Sequence, residues 1–285
     1  MESSNIFGTG IEANHTMVWA TIGKWPSRLI HLASEMKELK AYISSNYPAF
    51  FSVLRETRQA CRGIAEKKHA AKKWVVRLWV RYQPRRVFLD IYSKNSWGGA
   101  ESRSGSGSSL EQTKTIREQL PTIVAKFGVK SFLDIPCGDF YWMKQVRLDV
   151  DEYIGADIIG PLVERNRSLH TTKNRKFTVL DIMKDPLPAV DLIFSRDCLV
   201  HFSYRDICRT IRNIKRSNAR YLLTTTFTAQ DQNTDIATGE WRPLNLQLPP
   251  FNFPDPIVVI NENCTELGGR YPDKSLGLWQ IAKIP

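Results

Sequence analysis

Residues 131–140 are Ser-Phe-Leu-Asp-Ile-Pro-Cys-Gly-Asp-Phe, a short apolar run that ends in a turn with proline and glycine. The run over residues 131–135 predicts a buried β-strand, because a short apolar segment bounded by Pro and Gly is typical of strands covered on both faces. Gly138 gives a ligand close access to the backbone of the turn, and open α/β sheets bind ligands beyond the carboxyl ends of their strands. An ordinary turn has the same pattern, so the surrounding sequence has to distinguish the two.

Strand-like and helix-like patterns alternate along the chain. Further short apolar runs occupy residues 153–156, 177–180, 191–194, 221–226, 257–260 and 276–284. Helical patterns cover residues 110–127, 161–170 and 206–216, the first and last preceded by capping boxes. Strands separated by helix-length connections predict parallel βαβ units, and therefore a three-layer α/β domain with a Rossmann-like sheet.

Three aspartates follow the predicted strands. Asp134, Asp157 and Asp181 each stand at the end of an apolar run. Asp157 comes 19 residues after Gly138, close to the distance of about 20 residues at which an acid on the second strand contacts a ribose. The three acids therefore predict a site for an adenosine-containing ligand.

The turn after the first strand indicates which adenosine ligand fits. A dinucleotide pyrophosphate needs a glycine-rich turn, whereas Asp139, Phe140 and Tyr141 bring negative charge and bulk there. A ligand with a positively charged amino acid portion suits Asp134 and Asp139 better. S-adenosylmethionine is such a ligand.

With these residues the sequence resembles the class I S-adenosylmethionine-dependent methyltransferases over residues 110–285. The glycine motif of that family matches residues 134–140, with Pro136 and Phe140 in place of its first and third glycines. The resemblance implies Asp157 at the ribose, Asp181 near adenine, and a seven-stranded sheet whose last strand is antiparallel. We expect ten residues to bind the cofactor: Asp134, Pro136, Cys137, Gly138, Asp139, Asp157, Ile158, Asp181, Ile182 and Arg196.

In the family fold, the segment after the fourth strand, residues 195–202, faces the methyl donor. Methyl transfer to a hydroxyl needs proximity and a base that takes the proton. His201 and Asp197 are the candidates. A structural histidine and a helix-capping or ion-paired aspartate are the alternatives.

A long Pro- and Asn-rich segment, residues 229–256, follows the fifth predicted strand. Segments of this length inside a domain are usually functional. We expect Trp241, Arg242 and Asn245 to contact the acceptor, a small-molecule or glycan hydroxyl, although such residues also serve to pack a covering loop. A loose similarity to a little-characterised bacterial-type methyltransferase subgroup points to glycan modification. No metal site is predicted.

The segment over residues 97–109 is rich in Gly and Ser. Such composition is typical of a linker, but small residues directly before a helix can also form a loop that binds an anionic group. Both interpretations stay open at this point.

Composition and charge separate the N-terminal part from the rest. The 285 residues are 42% hydrophobic, enough for a core, and their formal charge is +11. Residues 1–83 hold seven Lys and six Arg against six Glu, or +7, leaving +4 for the remaining 202 residues. We expect a basic helical extension over residues 1–85 and a methyltransferase domain over residues 86–285.

The basic extension leaves three interpretations open: a solvated face, packing on the following domain, or contact with an anionic membrane surface or protein partner. No nucleic-acid module is recognisable. A non-catalytic protein with the cofactor fold, binding through these helices, is therefore the alternative to an enzyme. The absence of an apolar leader and of paired cysteines favours a cytoplasmic protein.

Overall fold

A computed structural model of the chain describes residues 83–285. The helical patterns expected before Gln83, and their contacts with a membrane or a partner, lie outside these residues. The first described helix, α1 (Pro84–Lys94), spans the expected domain boundary at residue 85 and buries Phe88 in the core. The boundary itself stays a prediction.

Seven strands form one sheet in the order 3-2-1-4-5-7-6. Strands β1 to β5 are parallel, and β7 is antiparallel to both of its neighbours, β5 and β6. This arrangement confirms the predicted α/β fold with a reversed last strand. The strands are β1 (Ser131–Asp134), β2 (Glu152–Asp157), β3 (Arg175–Val179), β4 (Leu192–Ser195), β5 (Tyr221–Phe227), β6 (Val258–Asn261) and β7 (Lys274–Gln280).

Helices cover both faces of the sheet. The helices after α1 are α2 (Lys114–Lys126), α3 (Gly160–His170), α4 (Tyr204–Arg216) and the short α5 (Glu266–Gly269). One core cluster joins α1 and α4 to the sheet, and a second joins α2 to the opposite face. The sheet and the helices on its two faces form three layers. No helix among residues 83–285 has the length and apolar character needed to cross a membrane.

Helix α4 shows how the sequence sets a boundary. The Ser203 hydroxyl accepts a hydrogen bond from the Asp206 N–H at 3.3 Å, which confirms the predicted cap. Ile207, Ile211 and Ile214 are buried, as their helical spacing predicts. The cap sets where α4 begins, and the buried isoleucines set which side of the helix faces the core.

Helix α2 begins later than the pattern predicts. The Ser109 hydroxyl accepts from the Gln112 N–H at 3.2 Å, but the residues that follow form a turn, and the helix starts only at Lys114. A serine that caps an isolated turn gives the same sequence signal as one that caps a helix.

The segment over residues 229–256 has no regular helix or strand. Leu244, Leu246, Phe251 and Phe253 anchor it in the core. The segment therefore covers the sheet as an ordered loop.

Candidate functional site

A cavity lies at the carboxyl ends of the parallel strands. Its wall contains all ten residues expected at the cofactor, together with Asp197 and His201. Parallel strands bring their carboxyl ends to one edge of the sheet, so residues distant in sequence meet there.

Asp157 is buried at the end of β2, 4% exposed. One carboxylate oxygen accepts from the Gly138 N–H at 3.2 Å and the other from the Ile159 N–H at 3.0 Å. Burial raises the pKa of Asp157 to about 6, and these backbone donors limit the rise. A carboxylate has about four acceptor positions, so Asp157 can still accept from hydroxyl groups of a ligand.

Asp134 and Asp181 are the other buried strand-end acids. Burial raises the pKa of Asp134 to about 8, opposed by a short hydrogen bond from the Tyr153 hydroxyl and reinforced by the charge of Asp157. Asp181 accepts from the Met183 N–H at 3.0 Å, and burial raises its pKa as well. The three acids line one cavity, and the exposed Lys184, whose Nζ lies 3.6 Å from the Asp181 carboxylate, opposes the rise of the Asp181 pKa.

The turn after β1 keeps the backbone shape of the glycine motif despite its substitutions. Gly138 has φ +53°, and a Cβ there would lie 2.2 Å from the Ser104 Oγ. Phe140 has φ +58°, in the left-handed region where the family motif has glycine. Its ring is buried against Tyr153 and Phe177, with ring centroids 5.6 and 5.1 Å away, and is absent from the cavity wall.

The Gly/Ser segment over residues 97–109 packs on this turn. The Asp139 carboxylate accepts from the Ser102 hydroxyl at 2.9 Å and from the Arg103 N–H at 2.8 Å, and the Asp139 N–H donates to the Ser104 hydroxyl at 3.2 Å. Trp97, Arg103, Ser104 and Ser108 line the cavity. The segment is a wall of the cavity rather than a linker.

His201 ends a 3₁₀ turn (Leu199–His201) beside the cavity. Its Nδ1 lies 2.9 Å from the Glu240 carbonyl oxygen. A carbonyl only accepts, so Nδ1 carries the proton and Nε2 of the neutral ring is an acceptor. Burial lowers the pKa of His201, while the Glu240 carbonyl and the charge of Asp197 oppose that fall. The ring is therefore neutral near pH 7.

Asp197 belongs to a buried ion cluster. Its carboxylate lies 2.8 Å from the Lys274 Nζ and 3.3 Å from the Arg196 Nη1. Burial alone would raise the pKa of Asp197, but Lys274 and Arg196 outweigh it and hold the pKa well below the usual range. This favours the ion-paired interpretation of Asp197 over a role as base.

Glu262 completes the cluster. It binds Arg196 through two hydrogen bonds, of 3.2 Å to Nε and 2.8 Å to Nη2, and Arg196 also donates to the Gly107 carbonyl at 2.9 Å. Lys274 lies 3.6 Å from Glu262. Most donors of Arg196 are thus engaged within the protein, although its side chain lines the cavity.

The sheet order and the register of acids together identify the fold. Strand order 3-2-1-4-5 is doubly wound, and a reversed β7 between β5 and β6 matches what the resemblance implies. The chain has the fold of the class I S-adenosylmethionine-dependent methyltransferases.

No family model and no curated protein matches the chain. Solved structures with this fold match parts of the chain at low sequence identity. Human N-acetylserotonin methyltransferase in complex with SAM is 12% identical over 68% of this chain and 58% of its own, with a TM-score of 0.46. The N-methyltransferase NodS of Bradyrhizobium japonicum WM9, in complex with S-adenosyl-L-homocysteine, is 15% identical over 41% and 60%, with a TM-score of 0.35.

The YcgJ protein of Bacillus subtilis is 23% identical over 38% of this chain and 50% of its own, with a TM-score of 0.33. The chain thus spans 50% to 60% of the length of these three proteins. The assignment of the methyltransferase fold rests on the sheet order of the chain itself.

The three residues expected at the acceptor do not line the cavity. Arg242 is buried and donates to the carbonyls of Leu199 at 3.0 Å and Phe202 at 2.9 Å. Asn245 is also buried, donates to the Gln230 carbonyl at 3.1 Å and accepts from the Gln247 N–H at 3.0 Å. Arg242 thus joins the covering loop to the turn that carries His201, and Asn245 forms hydrogen bonds within the loop itself.

Trp241, the third, is 41% exposed. Its ring contacts Tyr271 and Phe227, with ring centroids 5.0 and 6.0 Å away. The packing interpretation fits this side chain as well.

Two groups of cavity or cluster residues had no sequence signal of their own. Glu262 and Lys274 lie on or next to separate strands, and only the antiparallel pairing of β6 with β7 brings them together. Phe88 and Tyr92 reach the cavity wall from α1, a helix that the sequence pattern did not predict at the start of the methyltransferase domain.

Proposed function

We propose that the chain is an S-adenosylmethionine-dependent methyltransferase that transfers a methyl group to a hydroxyl of a small molecule or sugar. The observation that carries the proposal is a neutral histidine with an acceptor nitrogen, His201, in the wall that also holds Asp134, Asp157 and Asp181. A proton acceptor and a set of acids suited to an adenosine ligand are the two requirements of this reaction.

The acids of the cavity fit the cofactor by charge and by hydrogen bonding. Asp157 retains acceptor positions for the ribose hydroxyls, and Asp181 can accept from the amino group of adenine. Asp134 suits the positively charged amino group of the methionine portion. Bound there, S-adenosylmethionine supplies an electrophilic methyl group on a positively charged sulfur.

Arg103 suits the carboxylate of the methionine portion. The cavity wall has two cationic side chains, Arg103 and Arg196, and Arg196 is bound to Glu262. Arg103 pairs with no carboxylate of residues 83–285 and lies 5.8 Å from the Tyr92 ring centroid. Its guanidinium is therefore available to an anionic group.

The proposed role of His201 is to take the proton of the acceptor hydroxyl at Nε2. Its lowered pKa keeps the ring neutral, which makes Nε2 a proton acceptor near pH 7. Once protonated, the ring would be stabilised by the Glu240 carbonyl and by the negative charge of Asp197. Trp97, with its centroid 5.5 Å from the His201 ring, offers a flat surface on which a sugar or phenol ring can lie.

Calorimetry on the full chain tests cofactor binding, which the proposed reaction requires first. We expect S-adenosylhomocysteine to bind the wild type, and Asp157→Ala to weaken binding by about 30-fold, since hydrogen bonds to a charged group contribute about 1.5–3 kcal/mol. The exposed Asp255 provides the matched control, and Asp255→Ala is expected to bind normally.

Absence of binding by the wild type would overturn the enzyme assignment and leave the non-catalytic alternative. A screen of S-adenosylhomocysteine release with sugar, lipid and phenolic acceptors then identifies the acceptor. Methylation of amines but of no hydroxyl would replace the O-methylation proposal.

A further inference from the structure

A second cavity adjoins the first. Arg103 and Asp139 belong to the walls of both. The other walls come from three elements: the loop over residues 95–102, the turn with Tyr141 and Lys144, and the face of α3 that carries Arg165 and His170. We call it the α3 cavity.

The acids of the α3 cavity are already engaged. Asp139 accepts from the Ser102 hydroxyl and from backbone N–H groups of residues 103 and 141. The Glu101 carboxylate accepts from the Leu110 N–H at 3.1 Å. Neither acid forms an ion pair with the cations of this cavity.

The cations of the α3 cavity lack such partners. Lys144 and Arg165 are exposed, and neither forms an ion pair with an acid of residues 83–285. The Lys144 Nζ lies 5.0 Å from the Tyr141 ring centroid, a contact that keeps its charge accessible. The cavity therefore presents an excess of positive charge to solvent.

His170 lies where this charge converges. Its ring packs against Phe140 and Phe177, with centroids 5.2 and 6.4 Å away. Burial, followed by the positive charges of Arg175, Lys144 and Arg165, lowers its pKa. Glu101 and Asp139 line the same cavity, but the net effect at the ring is a lowered pKa.

We propose that the α3 cavity binds a phosphate group, free or as a phosphate monoester, through Lys144, Arg165 and His170. Phosphate carries more than one negative charge near pH 7 and several acceptor oxygens, so it can use donors from different elements at once. The proposal is independent of methyl transfer, because it concerns residues outside the expected cofactor set.

The pKa of His170, measured by NMR on the full chain without cofactor, tests the site. Inorganic phosphate is added at constant ionic strength with chloride as the reference salt. We expect the pKa of His170 to rise by about one unit, since a nearby anion favours the protonated ring. Glucose 6-phosphate forms the second arm: tighter binding than inorganic phosphate indicates a phosphorylated ligand, and equal binding indicates free phosphate.

Two double variants distinguish phosphate binding in the α3 cavity from a general effect of protein charge on the pKa of His170. Lys144→Gln with Arg165→Gln should abolish the phosphate-dependent shift. Lys114→Gln with Arg212→Gln removes the same charge from exposed positions outside the cavity and should leave the shift intact. An unchanged pKa of His170 in the wild type, or an equal shift in both double variants, would overturn the proposal.

Discussion

Acids at the carboxyl-terminal edge of the sheet have pKa values shifted in opposite directions in the two halves of that edge. At the ends of β1, β2 and β3, burial raises the pKa values of Asp134, Asp157 and Asp181. Next to the ends of β4 and β6, Asp197 and Glu262 are bound to cations, and the pKa of Asp197 falls. The pKa of Asp197, whose side chain is 24% exposed, is lowered by its cations, whereas the pKa values of the more deeply buried acids of the first half are raised.

Neighbouring cations account for the opposite pKa shifts of the two groups of acids. Arg196 and Lys274 neutralise the acids of the second half, which we call the ion cluster, and leave them little to offer a ligand. The acids of the first half have backbone and hydroxyl donors and one exposed cation, Lys184 beside Asp181, so their desolvation is only partly offset. A cationic or hydroxyl-rich ligand would complete that half.

Breaking the ion cluster should have the largest effect. Glu262→Gln removes the carboxylate that accepts two hydrogen bonds from the buried Arg196 and leaves it paired, among the acids of residues 83–285, only with Asp197 at 3.3 Å. Removal of one partner of a buried pair costs about 3–5 kcal/mol, and because Asp197 remains we expect about 3 kcal/mol. We expect the free energy of unfolding, measured with urea, to fall by that amount. Asp134→Asn, which removes an acid from the other half and breaks no ion pair, is the control. Equal destabilisation by both changes would contradict the comparison.

Substitution of His201 tests whether the cavity that holds the first group of acids is catalytic. If it is the base, His201→Ala should lower turnover by about 100-fold, the scale of general base catalysis, while S-adenosylhomocysteine affinity stays nearly unchanged. Affinity measured by calorimetry and turnover measured with an identified acceptor separate the two effects. Wild-type turnover in the variant would return His201 to a structural role.

Protonation of Asp134 gives the smallest predicted effect. With a pKa of about 8, Asp134 is mostly protonated at pH 7, and its negative charge increases as the pH rises. If the ionised form binds the amino group of S-adenosylhomocysteine, affinity should rise about fivefold from pH 7 to pH 8. Calorimetry at the two pH values measures the change.

Asp134→Asn supplies the control for this pH dependence. The variant cannot ionise at the position, so its affinity should be nearly constant over the same interval. A wild-type affinity that is equally flat would mean that Asp134 stays protonated in the complex.

The sheet and the acid register could be predicted because they depend on local patterns. Short apolar runs bounded by Gly, Pro and charged residues located all seven strands to within a few residues. Parallel strands then place their terminal residues at one edge, which brings Asp134, Asp157 and Asp181 together without knowledge of packing.

The ion cluster and the role of Arg242 could not be predicted because they depend on long-range packing. Arg196 and Glu262 are 66 residues apart in the chain. Arg242 stands in a loop where an arginine suits a ligand, yet three backbone carbonyls take up its donors. Which partner a long polar side chain finds is decided by the completed fold.

Phe140 has a consequence for how the turn after β1 folds. A glycine in a left-handed conformation loses much backbone freedom on folding, whereas a phenylalanine samples fewer conformations in the unfolded chain and loses less. The buried ring offsets the steric cost of φ +58° by its contacts with Tyr153 and Phe177. An aromatic side chain thus gives this turn rigidity where glycine gives flexibility.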